Sequence, residues 1–146
     1  MGARPRVLFV CVGNAGKSQM AAGLLSDHVG DAAEVSSAGT EARAALNALS
    51  VRSLAEVGID ITDQRPEQLT DEAVRAADLV VVLGSDARVD EVEGTRVTRW
   101  VTDEPSERGI EGIERMRLVR DDIAARVRQL ASDLAIAPRG DQLMPG

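Results

Sequence analysis

At 146 residues, 44% hydrophobic and 28% charged, the chain has the length and composition of one globular domain with a buried core, and its apolar runs are far shorter than a membrane span. A formal net charge of -7 argues against nonspecific binding to nucleic acid or an anionic membrane, and one Trp, one Phe and no Tyr leave no aromatic platform for stacking bases. One cysteine excludes an internal disulfide and a cysteine-only zinc site; with no signal-peptide pattern following Arg4 and Arg6, it predicts a cytoplasmic protein without a resident metal or cofactor.

Residues 6–12 form an apolar run that predicts a buried strand, and Lys17 to Val29 repeats apolar residues at helical spacing, with Met20, Leu24 and Leu25 facing the core. Between and across them runs Cys11-Val12-Gly13-Asn14-Ala15-Gly16-Lys17-Ser18. Gly13 and Gly16 permit positive φ and let backbone N–H groups turn inward, while a helix starting near Lys17 adds its unpaired amides and positive dipole end. Strand, loop and helix so arranged hold a tetrahedral oxyanion on the backbone of residues 12–18. A thiol at the head of the loop sits in the same field, which favours the thiolate and makes Cys11 a candidate nucleophile aimed at the bound anion.

Of the 17 lysines and arginines only Lys17 is a lysine, and at the end of a glycine loop it presents a point charge to the anion rather than a planar fork. Ser18 offers a hydroxyl to the thiolate, and Asn14 tolerates left-handed geometry and braces the loop. Gly16-Lys17-Ser18 also matches the end of the nucleotide-binding pattern G-x-x-x-x-G-K-[ST]. Its opening glycine, however, falls on Cys11, and Asp78 precedes its apolar run, whereas a magnesium-holding aspartate belongs at the C-terminal end of a strand.

Further along, His28 reads as a solvated residue near the end of the first helix. Glu34 to Ala38 predicts a second strand closed by Gly39, completing a parallel strand-helix-strand unit. Leu46, Leu49, Leu54 and Val57 mark a helix stopped by Gly58. Thr70 starts a short helix to Ala77, Leu79 to Leu83 is a central buried strand, and Thr95 to Val101 a weaker fourth. Ile113, Met116, Ile123, Val127, Leu130 and Leu134 mark a long final helix whose Asp121-Asp122 reads as solvated. The alternation predicts a three-layer α/β fold, an open four-stranded parallel sheet with helices on both faces. It forms one domain over residues 1–137, followed by a flexible tail at 138–146.

Ligands of such sheets bind outside the carboxyl ends of the strands, which brings loop 11–18 beside the turns Ser37-Ala38-Gly39 and Thr102-Asp103-Glu104-Pro105. Ser37 then supports the loop. Asp103 is the natural general acid, able to protonate the oxygen that leaves the central atom as Cys11 attacks; its competing role is to cap a helix after Pro105.

Cys11 to Ser18, Ser37-Ala-Gly-Thr40, Gly58-Ile-Asp60, the strand to Leu83 and the Asp103/Pro105 loop together resemble, in order and spacing, the low-molecular-weight tyrosine phosphatase fold over nearly the whole chain. Within it the chain looks most like the arsenate reductases that use mycothiol, the arsenate-mycothiol transferases. Lys17 stands where the phosphatases have arginine and Gln19 where they often have proline. Gln19-Met20-Ala21 resembles the arsenate reductase version, and thioredoxin-linked relatives carry further cysteines that this chain lacks. The resemblance implies that Cys11 attacks arsenate, that the loop amides and Lys17 hold its oxygens, and that Ser18 and Asn14 support the thiolate. Asp103 or the adjacent Glu104 would assist loss of the hydroxyl. It further implies mycothiol as co-substrate, a mycoredoxin downstream, and a homodimer as an open possibility. A phosphatase and a non-catalytic oxyanion or nucleotide sensor stay open as alternatives.

Overall fold

The computed structural model describes residues 4–142. In chain order the elements are β1 (Arg6–Cys11), α1 (Lys17–Val29), β2 (Glu34–Gly39), α2 (Ala48–Ala55), α3 (Asp71–Ala76), β3 (Leu79–Leu83), β4 (Arg96–Trp100), α4 (Gly112–Asp133) and α5 (Arg139–Gln142). The strands lie in the order β2-β1-β3-β4, and every pair is parallel. Successive side chains of a strand point to opposite faces, so the apolar run of β1 feeds two cores. Val7 and Phe9 pack with Met20 and Leu25 of α1 and Val119, Ile123 and Val127 of α4. Leu8 and Val10 pack with Val80 and Val82 of β3 and Val74 of α3 on the other side. A strand apolar on both faces requires helices on both, which is the three-layer arrangement expected.

The chain leaves β1 toward β2 on one side and returns to β3 on the other, so a crevice opens at the C-terminal end of β1. Cys11 is the last residue of that strand, in register with Gly39 of β2. At the opposite edge Asp78 accepts the Arg6 amide at 2.8 Å, a structural role far from the loop that removes it from any nucleotide-binding reading.

Local chemistry explains where elements begin and end. The Thr70 hydroxyl accepts the Ala73 amide and caps α3 as expected. The apolar spacing from Leu46 set the start of α2 too early: Asn47 is its cap, accepting from the amides of Leu49 at 2.9 Å and Ser50 at 3.1 Å. The helix then ends at Ala55, and Val57, expected on its core face, is 48% exposed. Gly58 follows with φ 82°, the left-handed position that terminates a helix. The reading of Asp121-Asp122 as solvated needs correction at Asp122, which accepts the Asp103 amide at 2.7 Å, pairs with Arg126 and so ties the turn after β4 to α4. Within the segment expected as a tail, residues 139–142 form a helical turn whose Arg139 donates to the Ser26 carbonyl at 2.9 Å; residues 143–146 lie outside the described residues. No described helix is long and apolar enough to cross a membrane.

Candidate active site

Residues 11–18 curl between β1 and α1, and their carbonyls are taken up from outside. Thr40 donates its amide to the Cys11 carbonyl, Glu41 to Val12, Arg43 to Gly13 and Asn47 to Ala15, at 2.8 to 3.1 Å. With the carbonyls turned outward onto the 40–47 segment, the amides of Gly13, Ala15 and Gly16 have no protein acceptor among the described residues. The first amides of α1 have none within the helix. The result is a ring of donors backed by a helix N-terminus, able to hold a tetrahedral anion.

Gly39 makes this closure possible. A Cβ on Gly39 would lie 2.6 Å from the Val12 carbonyl oxygen and 2.8 Å from the Asn14 nitrogen, both backbone atoms, so only glycine lets β2 approach the loop. The left-handed residue of the loop is Asn14, at φ 50° and as its tolerance of that geometry allows, and neither glycine supplies a positive φ: Gly16 has φ -127° and Gly13 is not among the positive-φ residues.

Asn14 is fully buried and fastened on both sides of its amide. Its Oδ1 accepts the Glu67 backbone amide at 2.8 Å and Gln19 Nε2 at 3.1 Å. A backbone N–H can only donate, so this contact fixes the orientation of the amide and points Nδ2 at Ser18 Oγ, 2.7 Å away. Ser18 Oγ thereby receives one hydrogen and has its own to give to Cys11 Sγ at 2.9 Å. The Asn14 amide reaches the same sulfur at 3.3 Å. Two donors converging on a half-buried sulfur at the floor of a cleft are what a thiolate nucleophile requires.

The cleft above the sulfur measures about 400 Å³ and is lined by Cys11, Lys17, Arg43, Asn47, Arg115 and Val119 among others. Three cations thus face one cavity in a chain of net charge -7. Lys17 Nζ lies 3.7 Å from Glu104 Oε1, and Arg115 grips the same carboxylate through Nε at 2.7 Å and Nη2 at 2.8 Å. The Arg115 hydrogen bonds lead the effects that hold the Glu104 carboxyl down at about 2, supplemented by the Ser106 hydroxyl and the charge of Lys17. Asp103 lies outside this network: Arg108 holds it at 2.7 and 3.1 Å on an exposed surface and lowers its pKa from the ordinary carboxylate value.

Of the residues singled out in the sequence, Cys11 and Lys17 line this cleft, Asn14 and Ser18 bond to its sulfur from fully buried positions, and Ser37 does neither. It sits two residues, or about 7 Å of extended chain, back from the end of β2. There it lines a different cleft of about 320 Å³ beside α1 and residues 58–61. Sequence reasoning missed Arg43, Arg115 and the Glu67 amide, which no local pattern marks because each comes from a distant segment. Gln19 was legible only as a departure from proline: it is 2% exposed, and its amide joins Asn14 to the Arg65 carbonyl.

Residues 6–138 match the family model for low-molecular-weight phosphotyrosine protein phosphatase. The chain is 41% identical over 128 residues to an arsenate reductase of Brevibacillus brevis, an alignment covering 86% of this chain and 92% of that protein. Among solved structures it is similar to a thioredoxin-dependent arsenate reductase of Corynebacterium glutamicum, with TM-score 0.79 and 33% identity over 92% of this chain and 63% of that longer one. It is also similar to an arginine phosphatase of Geobacillus stearothermophilus, with TM-score 0.71 and 29% identity over 90% of this chain and 93% of the other. Proteins named for two chemistries, arsenate reduction and phosphatase action, thus share the fold of this chain, and the chain belongs to the low-molecular-weight phosphotyrosine protein phosphatase family.

Proposed function

We propose that this protein is an arsenate reductase of the transferase type, in which Cys11 and loop 11–18 bring arsenate and an external low-molecular-weight thiol together. The arsenate reductase among its relatives at 41% identity supports the substrate. The observation that carries the thiol is that Cys11 is the one sulfur nucleophile in the chain. A reductase that closes an internal disulfide needs a second cysteine to displace the first, and none is present to do so.

In this mechanism arsenate rests on the amides of residues 12–18 with Lys17 against its oxygens. Cys11 Sγ, held by Ser18 and Asn14, attacks arsenic; a sulfur–arsenic bond forms, and one oxygen leaves as water. The sulfur of mycothiol then replaces Cys11 on arsenic, which stays in its higher oxidation state; a mycoredoxin thiol afterwards attacks that mycothiol sulfur, the sulfur–arsenic electron pair passes to arsenic, which leaves as arsenite, and the two sulfurs are oxidised together to a mixed disulfide. Asp103 is the proposed proton donor to the leaving oxygen. To serve, it has to leave Arg108 and take up a proton, and an exposed ion pair of this kind is cheap to open. Glu104 is fastened from two sides as a carboxylate and holds Lys17 and Arg115 at the cleft wall.

The test is a paired assay on the purified protein. Arsenate turnover with mycothiol and mycoredoxin is expected to be sustained, turnover with thioredoxin alone is not, and aryl phosphate hydrolysis is expected to be slow. Sustained multiple turnover with thioredoxin as the only reductant overturns the external-thiol mechanism. Efficient phosphate ester hydrolysis without arsenate turnover makes the protein a phosphatase.

A further inference from the structure

We infer that Arg43, which lies outside the loop motif, gives the bound oxyanion the guanidinium fork that the loop itself lacks. The inference rests on loop 11–18 being the oxyanion site and adds a specificity-determining residue to it. The Arg43 backbone is fixed by its amide bond to the Gly13 carbonyl at 2.9 Å. Its side chain lies across the loop: a Cβ built on Gly13 would meet Arg43 Nε at 2.8 Å and Cδ at 3.0 Å. The absence of a side chain at Gly13 is thus what lets the guanidinium reach the cleft it shares with Cys11 and Lys17.

Arg43 also differs from the other guanidinium of that cleft in being uncommitted. Arg115 spends Nε and Nη2 on Glu104, and Arg108, Arg117, Arg120 and Arg126 are each paired with a carboxylate. Arg43 has neither a side-chain hydrogen bond nor an ion pair to any described residue. An unneutralised planar fork beside a ring of amides fits two oxygens of a tetrahedral dianion, the contact that a lysine on a flexible stem cannot make. The division of labour is then a point charge from Lys17 at one side and a fork from Arg43 at the mouth.

Calorimetric titration of the full chain with inorganic phosphate and with arsenate, at low ionic strength and with a thermal melt of each variant, tests this. Arg43→Gln is expected to weaken both anions about three- to tenfold, less than a buried charge-assisted bond contributes because the group is solvent-exposed. Arg43→Lys, which keeps the stem on Gly13 and the charge but not the fork, falls between. Arg75→Gln, the same charge change on the exposed face of α3, leaves affinity unchanged. In a Lys17→Arg background, where the loop has a fork of its own, Arg43→Gln loses less than about half of its effect on a logarithmic scale if the inference is wrong and most of it if right. Wild-type affinity in folded Arg43→Gln, an equal loss in Arg75→Gln, or an undiminished loss in the Lys17→Arg background each overturns the inference. Failure of the wild type to bind either anion overturns the oxyanion-site reading and the inference with it.

Discussion

Replacing Asn14 separates the two demands that the loop places on one residue, a left-handed backbone and a three-way side-chain junction. Asn14→Ala removes the bonds to Ser18, Gln19 and the Glu67 amide, leaving that amide without an acceptor in a part-buried setting. At about 1 kcal/mol per neutral bond the loss is roughly 3 kcal/mol. Holding a Cβ-bearing residue without asparagine's local compensation at φ 50° adds about 1 kcal/mol. The sum, ~4 kcal/mol, is a large share of the ~5–15 kcal/mol that keeps a domain folded. Asn14→Gly loses the same bonds but not the left-handed strain, so it should be the less damaged of the two by up to ~1 kcal/mol. Both should bind phosphate poorly, because the loop whose amides face the anion has lost the side chain that fastens it to residue 67 and to Gln19. Urea unfolding gives the stabilities and calorimetry the binding. An alanine variant within ~1 kcal/mol of wild type, or one more stable than the glycine variant, would refute the account of how the loop is held.

Three further outcomes follow from the geometry. Cys11→Ser should abolish arsenate turnover while keeping the fold and part of the oxyanion affinity, since a hydroxyl is a far poorer nucleophile at neutral pH in nearly the same volume; turnover near wild type removes Cys11 from the mechanism. Gly39→Ala should cost about 1–3 kcal/mol in urea unfolding and lower phosphate affinity, because its Cβ meets loop backbone at 2.6 to 2.9 Å and the loop has to move; unchanged affinity would show that the loop tolerates the shift. Glu104 has a folded pKa near 2, below its ordinary 4.5, so its contribution to stability is fully present above the ordinary value and is lost as pH falls toward 2. The difference in urea midpoint between wild type and Glu104→Gln should therefore be constant from pH 7 to about 5 and shrink below it; a difference that grows on acidification contradicts the Arg115 pairing.

The parts of this fold that were legible in the sequence are those whose causes are local. The continuous apolar run of β1, a hydroxyl before Asp71 and a left-handed glycine at Gly58 each act within a few residues, and strands β3 and β4 and the long helix α4 fall within a residue of where their patterns put them. What was not legible is what the loop receives from elsewhere. No spacing rule connects Asn14 to the Glu67 amide 53 positions away, or Glu104 to the arginine eleven residues later that fixes its charge. The same limit explains why two glycines were expected at positive φ beside Asn14, whose tolerance of left-handed geometry is the part the structure uses. Glycine is the default where a backbone must turn left, but here Gly13 gives clearance to the Arg43 side chain and Gly39 to the loop backbone, and the turn falls to Asn14, whose side chain is held by three partners. A loop read only as a string of glycines and a cysteine therefore yields its chemistry but not its mechanics. Those depend on segment 40–47, which holds the loop carbonyls outward, and on Arg65 and Glu67, whose backbone holds the Gln19 and Asn14 side chains, and together they leave the loop amides free to face an anion in an otherwise acidic chain.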